Sequence, residues 1–164
     1  VTGDETAGVV ASIGSRIAHG LAAGAVGTMA LNAVTYADML VRARPASSLP
    51  EEDVRRLAGR AGISLGEGEA AAQRTSAASV LMGYLTGMLG GVAWCAAEPV
   101  ARRLPWPLAA TALGVVVMTA TDASSALLRT TDPRSWSAAD WVSDLVPHLA
   151  YGAATVATGR ALRG

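Results

Sequence analysis

The sequence predicts an all-α polytopic membrane protein, with four transmembrane helices and a short amphipathic helix in the first loop, folded as one domain over residues 1–164. Three observations predict it. Hydrophobic residues make up 51% of the chain and charged residues 16%, with a mean hydropathy of +0.36, which is high for a soluble protein of this length. Four apolar runs each approach the ~20 residues with which a helix crosses ~30 Å of hydrocarbon. The arginines gather at the ends of those runs, at the depth of lipid headgroups.

Composition narrows the function classes. All 13 basic residues are arginine, and they are balanced by 13 acids, so no global field favours nucleic acid. The single Cys95 lies inside an apolar run and has no partner for an intramolecular disulfide. The 18 glycines, with abundant alanine, favour close approach of membrane helices.

Residues 1–16 are mixed and expected to fray at their start; Asp4 and Glu5 carry the wrong charge for the front of a signal peptide. The first span covers 17–41 and is free of charge from Ile17 to Ala37. Gly20 and Gly24 form a GxxxG packing pair. Asn32 sits deep in this span, with Tyr36 one turn further on. Arg42 and Arg44 close it, and Pro45 stops the helix. In ASSLPEEDVRRLAGRAG, Ser47 or Ser48 is the expected cap, Pro50 falls in the first turn, and acids follow at 51–53. Leu49, Val54, Leu57 and Ile63 would form an apolar side, with Arg55, Arg56 and Arg60 beside or opposite it. An interfacial helix on headgroups and a solvated loop helix both fit this pattern. Residues 65–73 are expected to be a polar hinge.

The second span covers 75–97, where Gly83, Gly87 and Gly91 recur every four residues and predict the tightest helix contact in the molecule. Glu98, Arg102 and Arg103 mark its exit. The short connection to Pro107 predicts that the second and third spans are antiparallel neighbours. The third span covers 105–128 and contains Asp122, about 10 Å inside the edge set by Arg129. An acid at a helix centre costs roughly 2.5 kcal/mol or more unless it is paired or hydrated. Thr119, Thr121, Ser124 and Ser125 surround it with hydroxyls.

TDPRSWSAADWVSDLVPHLAYG then opens the fourth span, 141–162. Asp132-Pro133 is a turn, Ser137 with Asp140 approximates a capping box, and Trp136 and Trp141 suit an interfacial belt. Pro147 should kink the helix, and Arg160 and Arg163 anchor its far end.

Four spans put both termini on one side and both long connections on the other, the loop side. Asn32, Tyr36, Asp122, Asp144, His148 and Tyr151 all fall in the loop-side half. Asp140, Asp144, His148 and Tyr151 follow i, i+4, i+8 and i+11, one helix face. This cluster reads first as interhelical glue and second as a proton or ion pathway. A metal site from Asp122, Asp144 and His148 is weaker, since His19 lies towards the other side, and catalysis is weaker still. Arginine counts near the span ends are equal on the two sides, and Arg55, Arg56 and Arg60 tip the loop side towards the cytoplasm. LVRARPASSLPEEDV and LLRTTDPRSWSAADWV share an Arg, a Pro, a Ser and a late acid, a faint repeat that would make a duplicated two-helix unit.

The blocks GTMALNAVTYADMLVRARPASSLPEE and TDPRSWSAADWVSDLVPHLAYG resemble a group of uncharacterised small integral membrane proteins of actinobacteria. The resemblance implies a four-helix membrane fold and carries over no catalytic or binding residue. The expected function is a channel or transporter-like protein of the cell membrane, with a polar intramembrane pocket for a proton, ion or small solute. Its alternative is a non-catalytic subunit or scaffold that binds itself or another membrane protein through glycine faces. Neither reading needs a cofactor, a metal or catalytic residues; the expected surroundings are the lipid bilayer.

Overall fold

The computed structural model describes the backbone of residues 3–163 and the side chains of residues 12–163. The helices are α1 (Gly3–Arg42), α2 (Leu49–Arg60), α3 (Gly68–Ala101), α4 (Trp106–Leu128) and α5 (Ala138–Ala161), with a single 3-10 turn, Pro133–Ser135, before α5. Helix α1 is regular from Gly3, well before the expected start of the first span, while Val1 and Thr2 lie outside the described residues. The hinge expected over 65–73 is also mostly helix, because α3 begins at Gly68. Alanines at 70–72 favour continuing the helix towards the loop rather than breaking it.

Among the described residues, three helices are long and apolar enough to cross a membrane: α1 from Ser12, α3 and α4. Helix α5 has 24 residues, enough for about 36 Å, but carries Asp140, Asp144, His148 and Arg160 and falls outside that group. The three apolar helices show lipid the surface they are made of. Val41 is 83% exposed, Leu81 69% and Leu127 77%, an outer face that suits hydrocarbon far better than water.

Packing orders the bundle α3–α1–α5–α4, with α1 and α5 as the central pair. The expected neighbours α3 and α4 barely touch. Their short link holds two ends together, but lengthwise contact forms where backbones can approach. That happens at two glycine seams. On the first, Gly20 and Gly24 of α1 face Gly87 and Gly91 of α3, so close that a Cβ on Gly20 would stand 2.6 Å from the Val92 Cα. On the second, Gly114 of α4 faces Gly152 of α5, where a Cβ on Gly114 would meet the His148 carbonyl oxygen.

Gly83 belongs to neither seam. It is exposed, and a Cβ there would meet nothing within 4 Å. Each four-residue step rotates the position by about 40° around the helix, so a stripe centred on Gly87 and Gly91 leaves Gly83 behind. The duplicated-unit expectation also fails. A two-fold pairing α1 with α4 and α3 with α5 would make the α1–α5 and α4–α3 contacts equivalent. The first is extensive and the second slight.

Helix α2 lies across the loop-side end of the bundle. Ser48 occupies its cap position but its side chain caps nothing; Ser47 Oγ instead accepts from the Leu49 amide at 3.2 Å. Gly62, at φ 68°, turns the chain out of the helix while Ile63 N–H bonds back to the Ala58 carbonyl. Of the expected apolar side, Val54 is buried, together with Ala58, whereas Leu57 and Ile63 are exposed. What holds α2 down is polar. Asp53, buried, accepts from Ser125 Oγ at 2.6 Å and from Thr130 Oγ1 at 2.5 Å, both at the end of α4.

Candidate functional site

A cleft of about 730 Å³ opens on the loop side between the end of α1, the first turns of α2 and the first half of α5. Asn32, Tyr36 and Arg42 line it from α1, and Asp140, Asp144 and His148 from α5. The α5 residues arrive together because they lie on one face and because that helix starts sharply. Ser137 Oγ accepts from the Asp140 amide at 3.2 Å, and Asp140 Oδ2 accepts from the Ser137 amide at 2.9 Å, a reciprocal box. Ser137 Oγ also donates to Asp140 Oδ2 at 2.7 Å; this bond first, and the one from the Ser137 amide next, favour ionised Asp140 and hold its carboxyl below the usual range.

The mouth is a paired charge network. Asp38 accepts from Arg42 at 2.6 Å and from Arg44 at 2.6 Å, and Arg42 also donates to Ser143 Oγ across on α5. On α2, Glu52 takes Arg55 at 3.0 Å and Arg56 at 3.2 Å; these guanidiniums hold its carboxyl below the usual range. These arginines are largely neutralised where they stand, so the mouth is polar without being a free cationic funnel.

Deeper in, the groups are less satisfied. His148 Nδ1 lies 2.8 Å from the Asp144 carbonyl oxygen and 3.3 Å from Asp144 Oδ1. With Nδ1 donating to these acceptors, Nε2 of a neutral ring is left as an acceptor. Asp144 Oδ2 is buried and has no donor. Asp122 of α4 is close enough to Asp144 and His148 to act on both electrostatically. The buried Asp144 Oδ2 is complete only with a proton or another donor. Among the described residues no three His, Cys, Asp or Glu side chains converge as metal ligands.

No family model, curated protein or solved structure matches the chain. The site therefore has to be read from its own geometry.

The sequence-predicted residues divide. Asn32, Tyr36, Asp144 and His148 line the cleft, with Tyr36 63% exposed at its outer part, and Asp122 stands beside Asp144 without being part of the lining. Tyr151 does not join them. It is fully buried, its hydroxyl donates to the Gly87 carbonyl at 2.6 Å, and its ring fills the space left by Gly27, Gly87 and Gly90. Three residues beyond His148 the helix has turned about 300°, which swings Tyr151 towards α1 and α3. Below it Trp94, Cys95, Ala110, Leu113 and Val156 form the apolar core, so the cleft ends blind.

Asp53 and the Asp38–Arg42–Arg44 node were not singled out from the sequence. Asp53 reads there as one of three acids favouring a helix start. Its one distinguishing signal is its place beside Val54, on the side of α2 that turns inward.

Proposed function

We propose that all four long helices cross the bilayer and that the cleft is the binding site of a channel or transporter-like, non-enzymatic protein of the cell membrane, taking a proton or small cation from the loop side. The spanning role of α5 is supported at both its ends. Its first turns meet the end of α1 through Arg42 and Ser143. Its last turn meets the opposite end of the bundle, where Arg160 donates to the Leu104 carbonyl at 3.1 Å and Arg163 to Glu98 at 2.6 Å. Being packed between α1 and α4, α5 can keep its polar groups away from lipid.

One observation carries the choice of ligand: the buried, donorless Asp144 Oδ2 beside Asp122 and His148. Two carboxyls and an imidazole nitrogen offer acceptors, and an occupant that brings positive charge or a proton satisfies them. The blind end supports one-sided binding in this conformation, with passage requiring Tyr151 and the glycine seam to move. The scaffold reading has less behind it, because Gly20, Gly24, Gly87 and Gly91 are already occupied by one another.

Liposomes containing the protein and an internal pH indicator test the reading. Proton flux should appear with the wild type and fall about a hundredfold or more in Asp144→Asn and in His148→Ala, the scale on which a positioned proton-transfer group contributes. Wild-type liposomes as tight as protein-free ones, or variants with undiminished flux, would remove it.

A further inference from the structure

We infer that the loop-side end of α4 carries a binding site for the phosphate headgroup of an anionic lipid, formed by Arg129 and Arg134 with Arg60 at its edge. A shallow groove of about 560 Å³ lies just beyond the last turn of α4, lined by Arg129, Thr130, Thr131, Asp132 and Arg134 together with Ala126. Among the described residues neither Arg129 nor Arg134 forms an ion pair, in contrast to the arginines at the cleft mouth. Arg60 is also without an ion pair among the described residues, and its guanidinium donates to the Leu127 carbonyl at 3.3 Å, which brings a third positive charge to the same helix end.

The groove contains one carboxylate, and its duty is structural. Asp132 Oδ1 accepts from the Arg134 amide at 3.0 Å and so shapes the 3-10 turn that presents Arg134. Thr130 Oγ1 is committed to Asp53. Thr131 Oγ1 accepts from Trp136 Nε1 at 2.8 Å, which leaves its own proton free to donate into the groove. Two lining guanidiniums against one carboxylate, with Arg60 at the same helix end and a free hydroxyl donor, suit a singly charged phosphodiester.

Position decides between a lipid and a free phosphate. Leu127, one turn or less from the groove, is 77% exposed, a surface for an acyl chain that inorganic phosphate would leave bare. Trp136 and Trp141, with ring centroids 5.0 Å apart, stand at the same end, where indoles settle at the headgroup level. The groove therefore sits where a headgroup sits and points its aliphatic border towards the tails. This site adjoins the cation cleft, with Thr130 and Thr131 in both walls, but does not depend on a ligand there; it requires only that α4 spans the bilayer.

Native mass spectrometry of the detergent-purified protein with equimolar phosphatidylglycerol and phosphatidylcholine tests the assignment. Phosphatidylglycerol should be retained preferentially, and Arg129→Gln/Arg134→Gln should weaken that binding about thirtyfold, given roughly 1 kcal/mol for each of the two basic residues near an anionic surface. Arg102→Gln/Arg103→Gln, a basic pair at the other end of α3, should leave it unchanged. If the double variant does not fold, Arg134→Gln alone replaces it, since that side chain lies on the turn outside the bundle. Equal retention of the two lipids would overturn the inference, as would an equal loss in the Arg102/Arg103 variant. Full displacement of phosphatidylglycerol by millimolar inorganic phosphate would overturn the lipid as the occupant.

Discussion

Asp144 and Tyr151 lie seven residues apart on one helix and have opposite fates. Periodicity put both on the polar face of α5, and for Asp144 and His148 that placement holds, since both line the cleft. Tyr151 departs because a phenol can bury its ring and satisfy its single hydroxyl with one backbone carbonyl, here Gly87. Polar side chains on a helix can be placed on a face from sequence, but which of them need a partner beyond the protein depends on acceptors contributed by other helices. Tyr151→Phe should therefore leave any flux intact and lower thermal stability by about 1 kcal/mol, the net worth of one buried hydrogen bond. Loss of flux with unchanged stability would return Tyr151 to the pathway. Asp53 gives the complementary case. Asp53→Ala strands the Ser125 hydroxyl and leaves Thr130 only the Ser125 carbonyl as acceptor, which should cost about 1–3 kcal/mol. Hydrogen exchange should show faster exchange in α2 while α1 and α3 keep their protection.

At the scale of elements, helix positions were legible and helix lengths were not. Caps written in the sequence formed where they satisfied amides, as at Ser137 and Asp140, and failed where a competing turn was available, as at Ser48. The acid dependence of α5 follows from its cap. Asp140 titrates below its ordinary value, so its stabilising contribution is complete above the unfolded-state carboxylate pKa and is lost as pH falls through the lower folded value. First-turn amides of α5 should exchange faster only on strong acidification below the carboxylate range, and Asp140→Asn should flatten that dependence. The glycines separate just as sharply. Gly91→Ala drives a Cβ to 2.6 Å from the Gly24 Cα and should cost about 1–3 kcal/mol, as overpacking does. Gly83→Ala meets open space and should be neutral or gain up to about 1 kcal/mol, since alanine is the better helix former. Thermal unfolding in one detergent ranks the two directly.

For the whole molecule, four long helices and a loop-side polar cluster could be read from hydropathy and charge, whereas the order α3–α1–α5–α4 could not. Order depends on which small-residue faces match, and the sequence shows each face without its partner. The same limit left orientation undecided, because arginines counted by position are nearly balanced. Counted by ion pair they stay level: among the described residues Arg60, Arg74, Arg129 and Arg134 on the loop side form none, and neither do Arg16, Arg102, Arg103 and Arg160 on the terminus side. Only the total, raised by Arg55, Arg56 and Arg60 of α2, tips the loop side towards the cytoplasm. The chain supplies a clean background for the test, since its one cysteine, Cys95, is buried. With Ser47→Cys, at the exposed start of α2, a membrane-impermeant maleimide should label the protein only after cells are permeabilised. Labelling of intact cells at Ser47→Cys would reverse the orientation and place the cleft mouth outside.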